Sequence, residues 1–378
     1  MPRRSPANRE DQIGTMTKPL SLYLDALRFG AAFTVFLSHY GKFTGGLFWQ
    51  IQPYGWTAVL VFFVLSGFVI AWVTEARERS LEDYALSRVA RLYSVILPAF
   101  ILTAVLDHVA MAIDPRWYGP QALPPMCRGP LNAFLGYVLS AVFLGESWTL
   151  VMPPGSDVPY WSVDHEAWYY VLFGVATFLQ GRRRIVALAV AALVAGPNIL
   201  VLFPLWLMGL AAWRWRAALP RQLGGPLAFG AVAALIGLEA LGGRQLFQPA
   251  NSPWLGEVSV YDYLVGPLIA FLIVGLANAR LPMPGAAVQR LIRFLAGTTF
   301  GLYLLHFPLL NFFATVIPGP TDRTSHRILL FALTLGVAIA FSHVIEQQKR
   351  PLKRALRSGL DQVLKRRLRP ALERQGLR

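Results

Sequence analysis

Residues Leu22–Gly41 read LYLDALRFGAAFTVFLSHYG, a stretch long and apolar enough to enter a bilayer. It nevertheless carries Asp25, Arg28 and His39. Ionisable groups are costly inside a membrane and usually mark function. An i to i+11 step, as from Arg28 to His39, returns within roughly 20° of the same helix face, about 16 Å further along. One face of this predicted span therefore presents a guanidinium low in the span and an imidazole high in it. The plain alternative is an Arg at the membrane edge that snorkels and a His anchored at the opposite surface.

The rest of the chain has the same character. Of 378 residues, 55% are hydrophobic and only 15% charged, with a mean hydropathy of +0.47. These values indicate an all-α, polytopic transmembrane helical bundle. The net charge of +15 and pI near 10.3 would suggest nucleic acid in a soluble chain. Here the basic residues gather in short loops and at the tail, as the positive-inside rule requires, and no nucleic-acid partner is expected. The single cysteine, Cys127, excludes an internal disulfide framework and a multi-cysteine metal site. The six histidines are scattered without an HExxH pattern, and no metal is expected. Residues 1–20 are polar and basic with no apolar run, so the first span must itself be the targeting element.

In order, the chain divides into a cytoplasmic arm (1–20), a membrane unit (21–346) and a basic tail (347–378). Spans are predicted at 22–41, 54–74, 92–113, 161–180, 185–198, 199–213, 225–243, 261–279, 294–316 and 328–346. The two flanking Pro197 form a tight helical hairpin. The stretch 131–150 is apolar but contains Asn132, Gly136, Gly145 and Glu146. If it crosses there are eleven spans, and the later basic clusters move to the outer side. The charge bias favours ten, with 114–160 as a long outer loop holding a re-entrant or surface helix. Both termini are then cytoplasmic, in a membrane such as the bacterial inner membrane. The tail is expected to lie as an amphipathic helix on the anionic inner leaflet.

Several separated motifs share an order. Asp25-Ala-Leu-Arg28 precedes His39, and Phe62-Phe63-Val64-Leu65-Ser66-Gly67-Phe68 sits in the second span. Arg88-Val-Ala-Arg91 follows that span. Trp161-Ser162-Val163-Asp164-His165-Glu166 opens another, and Gly301-Leu302-Tyr303-Leu304-Leu305-His306-Phe307-Pro308 comes late. Together they resemble the acyltransferase-3 family of integral membrane O-acyltransferases. There are departures: Ser94 stands where the family often has Pro, and Val163 replaces Leu. Gln347-Gln348 follow His343-Val-Ile-Glu346 where Arg-Pro would close the motif.

The resemblance implies transfer of an acyl group, most simply acetyl, from cytoplasmic acyl-CoA to a hydroxyl of a glycan or lipid-linked sugar. Read for that chemistry, the residues suit it. A hydroxyl acceptor needs a base near neutral pH, and His39 is the natural one, with a covalent acyl carrier as its other open role. A carboxylate can hold such a His, and Glu166 is expected at matching depth. Its bland alternative is an acid favoured by the helix dipole. Arg88 and Arg91, three apart, are expected to grip the donor's phosphates. Ordinary positive-inside charge is the other reading. Arg28 meets a phosphate, the thioester oxygen or simply Asp25. Ser66-Gly67 reads as a close helix crossing. His165 is expected to be an interface residue. Trp161, Ser162, Tyr303 and His306 are candidates for the acceptor's surroundings. A structural interhelical hydrogen bond is equally open for His306, and an aromatic belt for Trp161. The reading from another class is a proton-coupled small-molecule transporter that uses the same buried Arg, His and Glu as a relay. The lack of a recognisable inverted repeat weighs against it.

Overall fold

The computed structural model describes residues 16–247, 258–317 and 319–374. Most of the predicted arm, residues 1–15, and the last four residues of the tail lie outside these. Every regular element among the described residues is helical. In a bilayer only helices or closed barrels satisfy their own backbone groups, so an apolar chain of this kind has little other choice.

The first helices show how local chemistry sets their starts. In α1 (Lys18–Tyr40) the Thr17 hydroxyl accepts the Leu20 amide at 3.3 Å, and Pro19 lies in the first turn. After α2 (Tyr54–Arg77), Ser80 caps α3 (Leu81–Ile113) by accepting the Asp83 amide at 3.1 Å. Glu82 and Asp83 in that first turn suit the positive end of the helix. Helix α3 runs about 50 Å, so most of the stretch between the predicted spans 54–74 and 92–113 is helix, and Arg88 and Arg91 are part of it.

Two short helices follow, α4 (Pro115–Ala122) and α5 (Pro130–Ala141). At twelve residues α5 is about 18 Å long, too short to cross a core of about 30 Å. The Tyr93 hydroxyl donates to the Ala141 carbonyl at 2.6 Å, and the Trp168 indole to Phe143 at 2.7 Å. The segment therefore ends against the sides of α3 and α6 (Trp161–Phe178) and turns back.

The break predicted around Pro197 falls at Gly196, inside α7 (Gly181–Val201), and α8 (Phe203–Trp215) follows; α7 packs on α6 and α8 on α2, so the two do not form the tight hairpin expected. Gly196 has φ of 79°, a conformation side chains rarely adopt, and a Cβ there would lie 2.6 Å from the Trp148 amide nitrogen. The bundle is completed by α9 (Arg221–Ala240), α10 (Val260–Asn278), α11 (Ala286–Gly297), α12 (Thr299–Val316), α13 (Thr324–Glu346) and α14 (Lys349–Arg374). The span predicted to begin at 294 instead starts at Thr299, because Gly297–Thr298 separates α12 from the amphipathic α11.

Among the described residues, eight helices are long and apolar enough to cross a membrane: α1, α2, α3, α7, α9, α10, α12 and α13. The other two predicted spans are α6, which carries Asp164 and Glu166, and α8, with thirteen residues. Both are packed within the bundle. Helix α8 lies directly on α2. A Cβ on Gly67 would collide with the Trp206 carbonyl, and one on Gly209 with the Val64 carbonyl. Small residues allow this approach, and the backbone contact fixes how α2 is rotated. One end of the bundle, the tail side, gathers the start of α1, the end of α2, the start of α3 and the end of α13. The opposite end, the loop side, carries residues 114–160.

Candidate active site

A cavity rises from the tail side between α1, α2, α3, α6 and α12. Its mouth is ionic: Arg28, Arg91, Glu346 and Lys349 line it. Arg28 donates to Asp25 at 2.7 Å and to the Ala296 carbonyl at 3.4 Å. Asp25 is shared with Arg293. The local pairing of Arg28 with Asp25 is thus formed, yet the side chain still walls the cavity.

The two arginines of the RxxR motif separate. Arg91 lines the cavity. Arg88 does not; it forms a buried ion pair with Glu78, and its guanidinium stacks over Tyr84 at 5.1 Å and Tyr170 at 5.6 Å. Glu78 sits in the tight connection between α2 and α3, where it meets the first turns of α3 and claims the nearer cation. The expectation that both arginines face one ligand is corrected here.

Deeper in the cavity stand Ser66, Ser162, Glu166, Tyr170 and Tyr303. Ser162, Glu166 and Tyr170 are spaced at four-residue intervals and so share one face of α6. Glu166 accepts from the Ser66 hydroxyl at 2.8 Å and from Tyr170. The Trp206 indole donates to the Ser66 oxygen at 3.3 Å. The Tyr303 and Ser162 hydroxyls are hydrogen-bonded to each other at 2.7 Å and both reach the Pro159 carbonyl, Tyr303 at 3.0 Å and Ser162 at 3.5 Å.

His39 does not meet Glu166. Its partner is His306: Nδ1 of His39 lies 2.8 Å from Nε2 of His306, with the rings stacked at 5.1 Å. The carboxylate face of α6 looks toward α2 and α3, whereas α1 packs on α12 at this level, so matching depth did not give contact. The hydrogen bonds assign the tautomers. Nδ1 of His306 faces two carbonyls, those of Tyr303 at 2.7 Å and Leu302 at 3.3 Å. Carbonyls only accept, so Nδ1 carries the proton and Nε2 is a lone pair. His39 must then donate through Nδ1, which leaves its own Nε2 as the basic nitrogen. His306 is fully buried and His39 half-buried. Neither lines the cavity, but Tyr303 links them to it, with its ring 6.0 Å from that of His306.

Trp161 is set against Trp56, with ring centroids 5.2 Å apart, and does not line the cavity. His165 is buried between the carbonyls of Trp161 (2.9 Å) and Asn198 (3.2 Å).

The loop side buries carboxylates. Asp107 accepts from Tyr118 and from the amide and hydroxyl of Ser156. Asp164 accepts the amides of Gly145 and Glu146. Glu146 accepts from Asn198 at 3.2 Å. Burial pushes the Glu146 carboxyl up to about 8 against the pull of that hydrogen bond. Asp157 has no hydrogen-bond partner on either oxygen among the described residues. Burial, with Asp107 nearby, raises it well above the carboxylate range.

Sequence reasoning did not single out Tyr170, Glu346 or Lys349 as cavity groups. Tyr170 could have been found as the next residue on the Ser162–Glu166 face. Lys349 carried no signal beyond belonging to a basic tail.

A bundle of long apolar helices that collects charges, hydroxyls and a histidine pair between them is an integral membrane protein. The family model described as an acyltransferase domain, acyltransferase-3, matches residues 21–343, and the chain belongs to that family. It is a membrane O-acyltransferase, which sets aside the transporter reading. Comparison with curated proteins and with solved structures found no match.

Proposed function

We propose that the protein moves an acetyl group from acetyl-CoA to a hydroxyl of a glycan or lipid-linked sugar. The observation that carries this reading is the cavity itself: cations at its tail-side mouth and uncharged hydroxyls beside one carboxylate deeper in. The tail side is cytoplasmic in this reading, so the donor's phosphates stay at the mouth near Arg28 and Arg91. The pantetheine arm extends past Ser66 and Glu166 toward Tyr303 and Ser162.

The acceptor approaches from the loop side, where His39 is partly exposed. Nε2 of His39 takes the acceptor proton as the hydroxyl oxygen attacks the thioester carbonyl. The new ester C–O bond forms, the C–S bond breaks, and the proton is returned to the CoA thiolate. His306 takes the place first expected of Glu166: it orients His39 by accepting from Nδ1. Glu166 holds the Ser66 and Tyr170 hydroxyls and offsets the charge of Arg91 along the donor path.

The test is release of CoA from acetyl-CoA by the purified protein, followed with and without polysaccharide or polyprenyl-linked sugar acceptors. Release that no such acceptor stimulates would remove the assignment of acceptor. Orientation has its own check: a reporter fused after Arg184 should be active only in the cytoplasm, because otherwise the basic cluster Arg182–Arg184 would be translocated.

A further inference from the structure

The chain after α13 does not lie free. It passes through Gln347-Gln348, with Gln347 still in helical conformation, into α14, which runs on antiparallel to the first turns of α3. The Lys353 ammonium donates to the Ser87 hydroxyl at 2.6 Å, and Arg357 lies 3.3 Å from the Asp83 carboxylate. These contacts hold α14 so that its first residue, Lys349, lines the cavity mouth opposite Arg28 and Arg91. Three cations face the single carboxylate of Glu346 there. Arg88, the other cation of the RxxR motif, is neutralised by Glu78 outside the cavity. Among the described residues neither Arg91 nor Lys349 is in an ion pair. Positive charge left unpaired at a cavity mouth calls for an anionic ligand.

We propose that α14 is a working wall of the donor site. Lys349 supplies the second free cation for the donor's phosphates in place of Arg88, and the Lys353–Ser87 and Arg357–Asp83 contacts latch it there. The inference rests on the acyl-CoA reading above. It predicts that the tail sets donor affinity and not the acyl-transfer step itself.

The experiment is calorimetric titration of the full-length purified protein with CoA and, separately, with pantetheine, which lacks the phosphates. Lys349→Gln should weaken CoA binding about tenfold, the loss expected for one charge-assisted hydrogen bond. Pantetheine binding should not change, and Lys349→Arg should restore CoA affinity. The latch variant Lys353→Ala/Arg357→Ala keeps Lys349 but frees the helix. It should raise the KM for acetyl-CoA several-fold with little change in kcat, and it tests the same idea should Lys349→Gln fold poorly. CoA affinity unchanged in both variants while Arg91→Ala weakens it would overturn the role of α14 and leave the donor reading standing. A parent protein that does not bind CoA would overturn both.

Discussion

The two ends of the cavity system handle charge in opposite ways. At the tail side, cations outnumber carboxylates around an open mouth, and two of them lack ion-pair partners. At the loop side, Glu146, Asp157 and Asp164 are buried and Asp107 half-buried, with no ion pair among the described residues. A carboxyl can escape the cost of burial by keeping its proton, as the rise at Glu146 and Asp157 indicates. A guanidinium cannot give up its proton near neutral pH, so unpaired arginine charge is settled only by a ligand or solvent. Under the proposed function, the contrast separates a donor-binding region from a region in which neutral groups and hydrogen bonds position a base.

The strongest way to break that division is at the histidine pair. His39→Ala should lower turnover by about 10²–10⁴-fold with CoA affinity near the parent value, since general-base catalysis acts in the transition state. Turnover within about threefold of the parent, at saturating donor and acceptor, is too small a loss for a general base. His306→Ala should have a smaller effect on kcat and shift its pH profile, because His39 would lose the acceptor that fixes its tautomer.

Next come the two arginines of one motif. Arg88→Ala leaves Glu78 as an unpaired buried carboxylate and should destabilise the protein by about 3–5 kcal/mol. Thermal unfolding in detergent would read this, and the surviving folded protein should bind CoA normally. Arg91→Ala should do the reverse, with unfolding nearly unchanged and CoA affinity reduced about ten- to a hundredfold. If the two variants behave alike, the separation of Arg88 from the cavity is wrong.

A pH-dependent effect, absent at low pH, sharpens the loop side. Glu146 sits near 8 when folded against an ordinary value of 4.5, so the folded protein holds a proton that the unfolded chain releases between these values. Stability from this group is full below about pH 4.5 and lost as pH rises through about 8. Glu146→Gln keeps an acceptor for Asn198 and removes the ionisation. Its Tm should exceed that of the parent at pH 8.5 and approach it at pH 5. An unchanged difference across that range would remove Glu146 as a titrating buried acid.

The sequence by itself determined the class of fold, most helix positions and the family, because hydropathy and helical period act within one segment at a time. Of the groups it named, Arg28, His39, Arg91, Ser162, Glu166, Tyr303 and His306 stand in or beside the cavity or in the histidine pair. A residue's depth and its face on its own helix follow from counting. Its neighbour across a helix boundary does not, because that depends on how each helix is rotated and how closely it is approached. The Gly67 and Gly209 contact fixes α2 against α8, and Ser66 is carried onto Glu166 with it. The packing of α1 on α12 gives His39 to His306. The short α2–α3 connection gives Arg88 to Glu78, and the continuation of α13 into α14 alongside α3 brings Lys349 to the mouth. Only the tertiary structure decided these partners, since each joins residues whose separation in the chain carries no periodicity to read.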